Sequence, residues 1–124
     1  MDLNQVTLPA LDVGESVDFY TRMGFLQIVD SPHYARFECP VGDATFSLHA
    51  VDSITPGHGV TVYFEHAALD ELCIDLEARG FELEQQPEDR PWLWREAILI
   101  DPAGNRICLY RAGENRKYPP WRVA

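Results

Sequence analysis

Apolar and polar positions change period along the chain, and each change marks an element. Val6-Thr7-Leu8-Pro9-Ala10-Leu11 alternates over a short run and predicts a strand that stops at Asp12. Asp12-Val13-Gly14-Glu15 then reads as a capping box, with a side-chain acceptor followed three residues later by a carboxylate. Val13, Val17, Tyr20 and Met23 recur at helical spacing, and Gly24 can take the left-handed conformation that closes a helix. Three strand-like runs follow, Phe25–Val29, Tyr34–Cys39 and Ala44–Val51, punctuated by Pro32, Pro40 and Gly42.

Beyond the loop from Asp52 to Gly59 the same order returns. Val60–Glu65 alternates as a strand. Leu69, Leu72, Cys73 and Leu76 share one helical face closed by Gly80, and Phe81–Gln85, Trp94–Ile100 and Arg106–Tyr110 are predicted strands. The helix ends Met23-Gly24-Phe25 and Arg79-Gly80-Phe81 lie 56 positions apart, while Gly42-Asp43 and Gly104-Asn105 lie 62 apart, so the second copy carries a longer loop around Pro87–Pro91. A duplicated βαβββ unit describes this order most economically. The expected organisation is one α+β domain over residues 1–124, with module one at 3–52, module two at 58–112 and a C-terminal arm at 113–124. Pro119-Pro120 favours an extended arm, and Tyr118 and Trp121 favour its docking, over the cavity or on a partner subunit.

Composition narrows the function. The 124 residues include 20 acidic against 10 basic, a net charge of −10, which disfavours a nucleic-acid partner and is compatible with a cationic guest. The three cysteines, Cys39, Cys73 and Cys108, have no CxxC spacing and suit a reducing compartment. No run is long and apolar enough for a bilayer crossing, and the first residues lack a secretory pattern. A cytoplasmic location and no membrane partner are expected.

Three segments taken together resemble one family. Leu8–Tyr20 (LPALDVGESVDFY), Met23-Gly24-Phe25 and Asp101–Tyr110 (DPAGNRICLY) are similar to the vicinal oxygen chelate superfamily, which includes glyoxalase I, bleomycin-resistance proteins and extradiol dioxygenases. The resemblance implies two tandem βαβββ modules forming a curved half-barrel sheet around a ligand cavity, commonly in a homodimer. It also implies where the metalloenzymes of the family carry His and Glu ligands. Those positions fall here at Gln5, Thr61, Cys108 and either Ser47 or Phe46, none of which is His, Asp or Glu. Amide, hydroxyl and thiol suit hard or borderline divalent ions poorly, so no metal and no other cofactor is expected.

Strand alternation directs Val6, Leu8, Val62 and Phe64 toward the helices. Gln5, Thr7, Ser47, His49, Thr61, Tyr63, Glu65, Cys108 and Tyr110 then fall on the opposite face, with Trp92, Trp94 and Glu96 approaching from the adjacent strand. The expected ligand-binding set is Gln5, Thr7, Ser47, His49, Thr61, Tyr63, Trp92, Trp94, Cys108 and Tyr110, and the candidate acid–base groups are His49, Glu65 and Glu96. His33 in a turn and His66 at a helix start are expected at the surface, and His58, between Gly57 and Gly59 in the inter-module loop, is within reach of a metal but not expected to bind one. The resulting expectation is a metal-free small-molecule binder, closest in character to the bleomycin-resistance proteins, that sequesters a drug-like or metabolite ligand in a dimer groove. The alternatives are a divalent-metal-dependent lyase or dioxygenase with a relocated site using His49 with Glu65 or Glu96, and a metal-free lyase or isomerase.

Overall fold

The computed structural model describes residues 1–55 and 60–123; the expectation for His58 lies outside them. The chain forms two compact units, Met1–Val60 with Asp101–Asn105, and Thr61–Ile100 with Arg106–Ala124.

In the first unit, β1 (Gln5–Ala10) leads into α1 (Val13–Met23), followed by β2 (Leu26–Ser31), β3 (Tyr34–Glu38) and β4 (Thr45–Ala50). The sheet order is β1-β4-β3-β2, with β1 and β4 parallel and the other pairs antiparallel. Asp12 caps the helix as its sequence predicts, its Oδ1 accepting from the Glu15 amide at 3.0 Å. Gly24 closes the helix at φ 112°, where an L side chain would be strained. Leu8, Tyr20, Phe37, Phe46 and Leu48 are fully buried between helix and sheet. Phe46 is their hub, with Tyr20 and Phe25 at 5.0 Å and Phe37 stacked on it at 5.2 Å. Each such ring contributes about 1.5–3 kcal/mol on burial.

The turn Asp101–Asn105 completes this unit. Tyr20 donates its phenolic proton to Asp101 at 2.6 Å, and the Asn105 amide reaches both Asp101 and the Pro9 carbonyl. Asp101 also accepts from the Ala103 and Asn105 amides, which makes the DPAGN segment a self-closed Asx-type turn.

The second unit repeats the plan with β5 (Thr61–Glu65), α2 (Leu69–Ala78), β6 (Gln85–Asp89), β7 (Arg95–Ile100) and β8 (Arg106–Arg111), in the sheet order β5-β8-β7-β6. Leu69, Cys73 and Leu76 of α2 are buried, as are Ala97, Leu99, Ile107 and Leu109 of the sheet.

Two local expectations are corrected. Phe81–Gln85 is not a strand. Phe81 is buried and its amide donates to the Leu76 carbonyl at 3.0 Å, so it closes the helix after Gly80, and the strand begins at Gln85. Pro87, expected in a loop, sits within β6. This is an edge strand whose register shifts between Gln85 and Glu88, so the missing amide proton costs no ladder bond. The arm begins with a 3-10 turn, Gly113–Arg116, before the Pro-Pro pair, and Tyr118 and Trp121 remain more than half exposed.

Candidate functional site

Each unit presents one sheet face away from its helix, and the predicted site residues divide between these two faces. In the first unit, Gln5 and Thr7 of β1 lie beside Thr45, Ser47 and His49 of β4. Ser47, fully buried, is a polar hub: Gln5 Nε2 donates to its Oγ at 2.8 Å and the Thr7 hydroxyl meets it at the same distance. Thr45 donates to Gln5 Oε1. Phe46 turns into the core, so the β4 residue on this face beside Gln5 and Thr7 is Ser47. His49 is exposed at the end of β4, opposite Tyr34 of β3.

Arg36, not singled out by the sequence, lies on this same face directly opposite Ser47. Its Nε donates to the Tyr34 phenol at 3.0 Å. Hydrogen bonding from Ser47 and Arg36 pulls the Tyr34 proton affinity below the usual value of 10. The signal was available: Tyr34 and Arg36 alternate with the buried Ala35 and Phe37, which places both on the polar side.

The second face is aromatic. Trp94 stacks on Tyr110 with ring centres 4.6 Å apart, and Tyr63 stands edge-on to both at 5.9 and 5.8 Å. Ile98, Cys108 and Ala112 support this wall from below. Glu96 lies directly across from Tyr110 and is only 8% exposed, and one of its carboxylate oxygens accepts from the Trp92 indole at 2.6 Å. Among the described residues no Lys, Arg or His approaches Glu96 within ion-pair distance. Burial, and secondarily the Glu96 charge and hydrogen bond, pushes the Cys108 thiol up to about 12. Burial likewise raises Tyr63 and Tyr110, the first with help from Cys108 and Glu96, the second with help from Glu65.

Glu65, across from Tyr110 on the other side, has a different task. Its Oε2 accepts from the Ala112 and Gly113 amides, both at 2.9 Å, and so holds the start of the 3-10 turn. Trp94 Nε1 donates to the Asn115 carbonyl of that turn at 3.3 Å. Beside Trp94 opens a groove of about 560 Å³, bordered by Arg90, Leu93, Arg95, Arg111 and Gly113. Leu93, between the two tryptophans, adopts φ 67°, a left-handed conformation costly for a branched side chain and not visible in the sequence. Thr61 is exposed at the start of β5.

The two-unit topology has counterparts among known proteins. A family model described as Glyoxalase/Bleomycin resistance protein/Dioxygenase superfamily matches residues 2–109. The chain belongs to this superfamily. The anthracycline biosynthesis protein DnrV of Streptomyces peucetius is 32% identical over 120 residues, covering 82% of this chain. The chain spans 44% of the length of that relative. A glyoxalase/bleomycin resistance protein/dioxygenase from Nocardioides superposes with a TM-score of 0.80 at 24% identity, over 100% of this chain and 90% of that one. A bleomycin-binding protein complexed with bleomycin superposes with a TM-score of 0.74 at 21% identity, over 90% of this chain and 98% of that one. These two likenesses concern the fold.

Where the superfamily's metalloenzymes carry ligands, this chain offers a poor donor set. Gln5 Oε1 is already an acceptor for Thr45, Ser47 Oγ already accepts from Gln5, Thr61 offers a neutral hydroxyl, and the buried Cys108 thiol keeps its proton. Neutral groups of this kind suit a divalent ion poorly in either unit. His49 belongs to the first unit, and Glu65 and Glu96 to the second. Among the described residues no three His, Cys, Asp or Glu side chains group as a metal site, and no helix is long and apolar enough to cross a membrane.

Proposed function

We propose that this superfamily member is a metal-free small-molecule-binding protein that sequesters a flat, positively charged organic molecule against the aromatic wall of its second unit. One observation carries the reading: the buried Glu96 carboxylate, without a cation among the described residues, adjoins the stacked Trp94–Tyr110 pair. A buried anion gains most from a cationic guest, and aromatic faces attract the same charge. Tyr63, half exposed and edge-on to the stack, supplies a wall that a planar ligand can extend. Trp92 donates to Glu96 and already carries the Arg90 guanidinium 4.8 Å from its ring centre, so it borders the wall rather than extending it.

The relatives direct the choice of probes. One is named for anthracycline biosynthesis and another was crystallised with bleomycin. Titration of the purified chain with an anthracycline and with bleomycin, read by tryptophan fluorescence and thermal shift, is expected to show saturable quenching and a raised Tm for at least one probe. Trp94→Ala is expected to weaken that binding by roughly tenfold, a loss of one stacking partner. Absence of binding by both probes overturns the drug-sequestration reading. A stoichiometric, tightly held divalent metal in the same preparation overturns its metal-free part and favours the lyase or dioxygenase alternative.

In this reading the protein acts as a cytoplasmic homodimer, with the exposed Tyr118 and Trp121 available to the second copy. Light scattering at micromolar concentration tests it, a monomeric mass being the contrary result. Glu65 is read as the anchor of the 3-10 turn rather than as an acid or base, because one of its oxygens already serves two backbone amides.

A further inference from the structure

The polar face of the first unit carries an element that the aromatic wall does not use. Arg36 stands on a strand backed by the buried Ala35 and Phe37, so its backbone is fixed by the core. Its Nε is committed to the Tyr34 phenol at 3.0 Å, and its guanidinium carbon lies 5.4 Å from the Tyr34 ring centre. Among the described residues neither terminal guanidinium nitrogen has a hydrogen-bond or carboxylate partner, in a chain with 20 acidic side chains. Those two nitrogens form a flat pair of donors whose spacing matches the two oxygens of a carboxylate.

The neighbours extend the pattern. Ser47 sits opposite Arg36 and Thr7 opposite Ser47, so a row of hydroxyls runs along the sheet to the guanidinium. Gln5 Nε2 donates to the Ser47 oxygen, and the Thr7 and Ser47 hydroxyls share a hydrogen bond at 2.8 Å. The Tyr34 oxygen accepts from Arg36 Nε, which leaves its own O–H available as a further donor.

We infer that this face is a carboxylate-binding subsite, in which the terminal nitrogens of Arg36 grip the two oxygens of a small organic acid and the Tyr34 hydroxyl donates a third hydrogen bond. It stands whether or not the second unit binds a guest. A spherical or tetrahedral anion would use the charge without the fork, so phosphate is the discriminating competitor.

The test uses the full chain with ¹⁵N-labelled arginine, titrated at pH 7 and constant ionic strength with benzoate, benzamide and inorganic phosphate. Benzoate is expected to move the Arg36 Nε–H resonance saturably, while benzamide, which has the same ring without the charge, leaves it in place. Arg36→Lys, which keeps the charge and loses the fork, is expected to weaken benzoate by roughly tenfold, and Tyr34→Phe by about threefold. Trp94→Ala is expected to bind benzoate as the parent does, which separates this site from the aromatic wall. Equal effects of benzamide and benzoate, tighter binding of phosphate than benzoate, or an Arg36→Lys variant that binds like the parent would each overturn the assignment.

Discussion

Tyr34 and Cys108 show how one residue's titration reports its surroundings. Donors from Ser47 and Arg36 favour the Tyr34 phenolate, so this tyrosine ionises below the usual 10, whereas Tyr20, Tyr63 and Tyr110 are pushed upward by burial. An ultraviolet titration near 295 nm is expected to resolve one early tyrosine step, lost in Tyr34→Phe and moved upward in Arg36→Gln. Cys108 has the opposite sign. Its folded value, about 12, lies above the ordinary 9, so its contribution to stability is fully present below pH 9 and lost as the pH rises from 9 through 12. Urea midpoints across that window are expected to fall less steeply in Cys108→Ala than in the parent. An unchanged slope would mean that the thiol ionises as readily folded as unfolded. Single-residue alternation made Tyr63, Cys108 and Tyr110 legible as neighbours, but which groups donate and which accept depends on distances that no spacing encodes.

Among the elements, those with explicit stop signals were read best. α1 is bracketed by Asp12 and Gly24, and both act as their chemistry requires. The strand after α2 was misplaced because Phe81, like Phe25, looks like a strand start and instead closes its helix, each amide reaching a carbonyl five residues back. The hairpin between β6 and β7 holds the least expected conformation, Leu93 at φ 67°. Relieving it with Leu93→Gly removes a strain of about 1–2 kcal/mol, less the glycine's extra unfolded-state entropy of roughly 0.5–1 kcal/mol. A chemical-denaturation midpoint slightly above the parent's is therefore expected. A clear drop would show that the Leu93 side chain packs more tightly than its 49% exposure indicates.

For the whole molecule, the duplicated pattern was readable because helix ends and turns repeat at near-constant offsets, and the family match over residues 2–109 agrees with it. The candidate site was less legible. Arg36 is an ordinary alternating polar residue in sequence, and its importance comes from the partner it lacks. The net charge of −10 bears on recognition at this scale: a cationic guest is drawn by the whole surface, and its association rate is expected to fall as salt rises from 0.01 to 0.5 M while the carboxylate site behaves oppositely. Stopped-flow association across that range reads the two signs directly.

The turn Asp101–Asn105 is encoded late in the chain yet completes the early unit. A fragment ending at Val60 would keep its helix and four strands but leave the buried Tyr20 hydroxyl without an acceptor and the Pro9 carbonyl without its amide. Losing that acceptor alone costs about 1–3 kcal/mol, a sizeable share of what so small a piece could muster. During synthesis, then, the first unit stays provisional until Asp101–Asn105 has left the ribosome, some forty residues after its own last strand and inter-unit loop are complete.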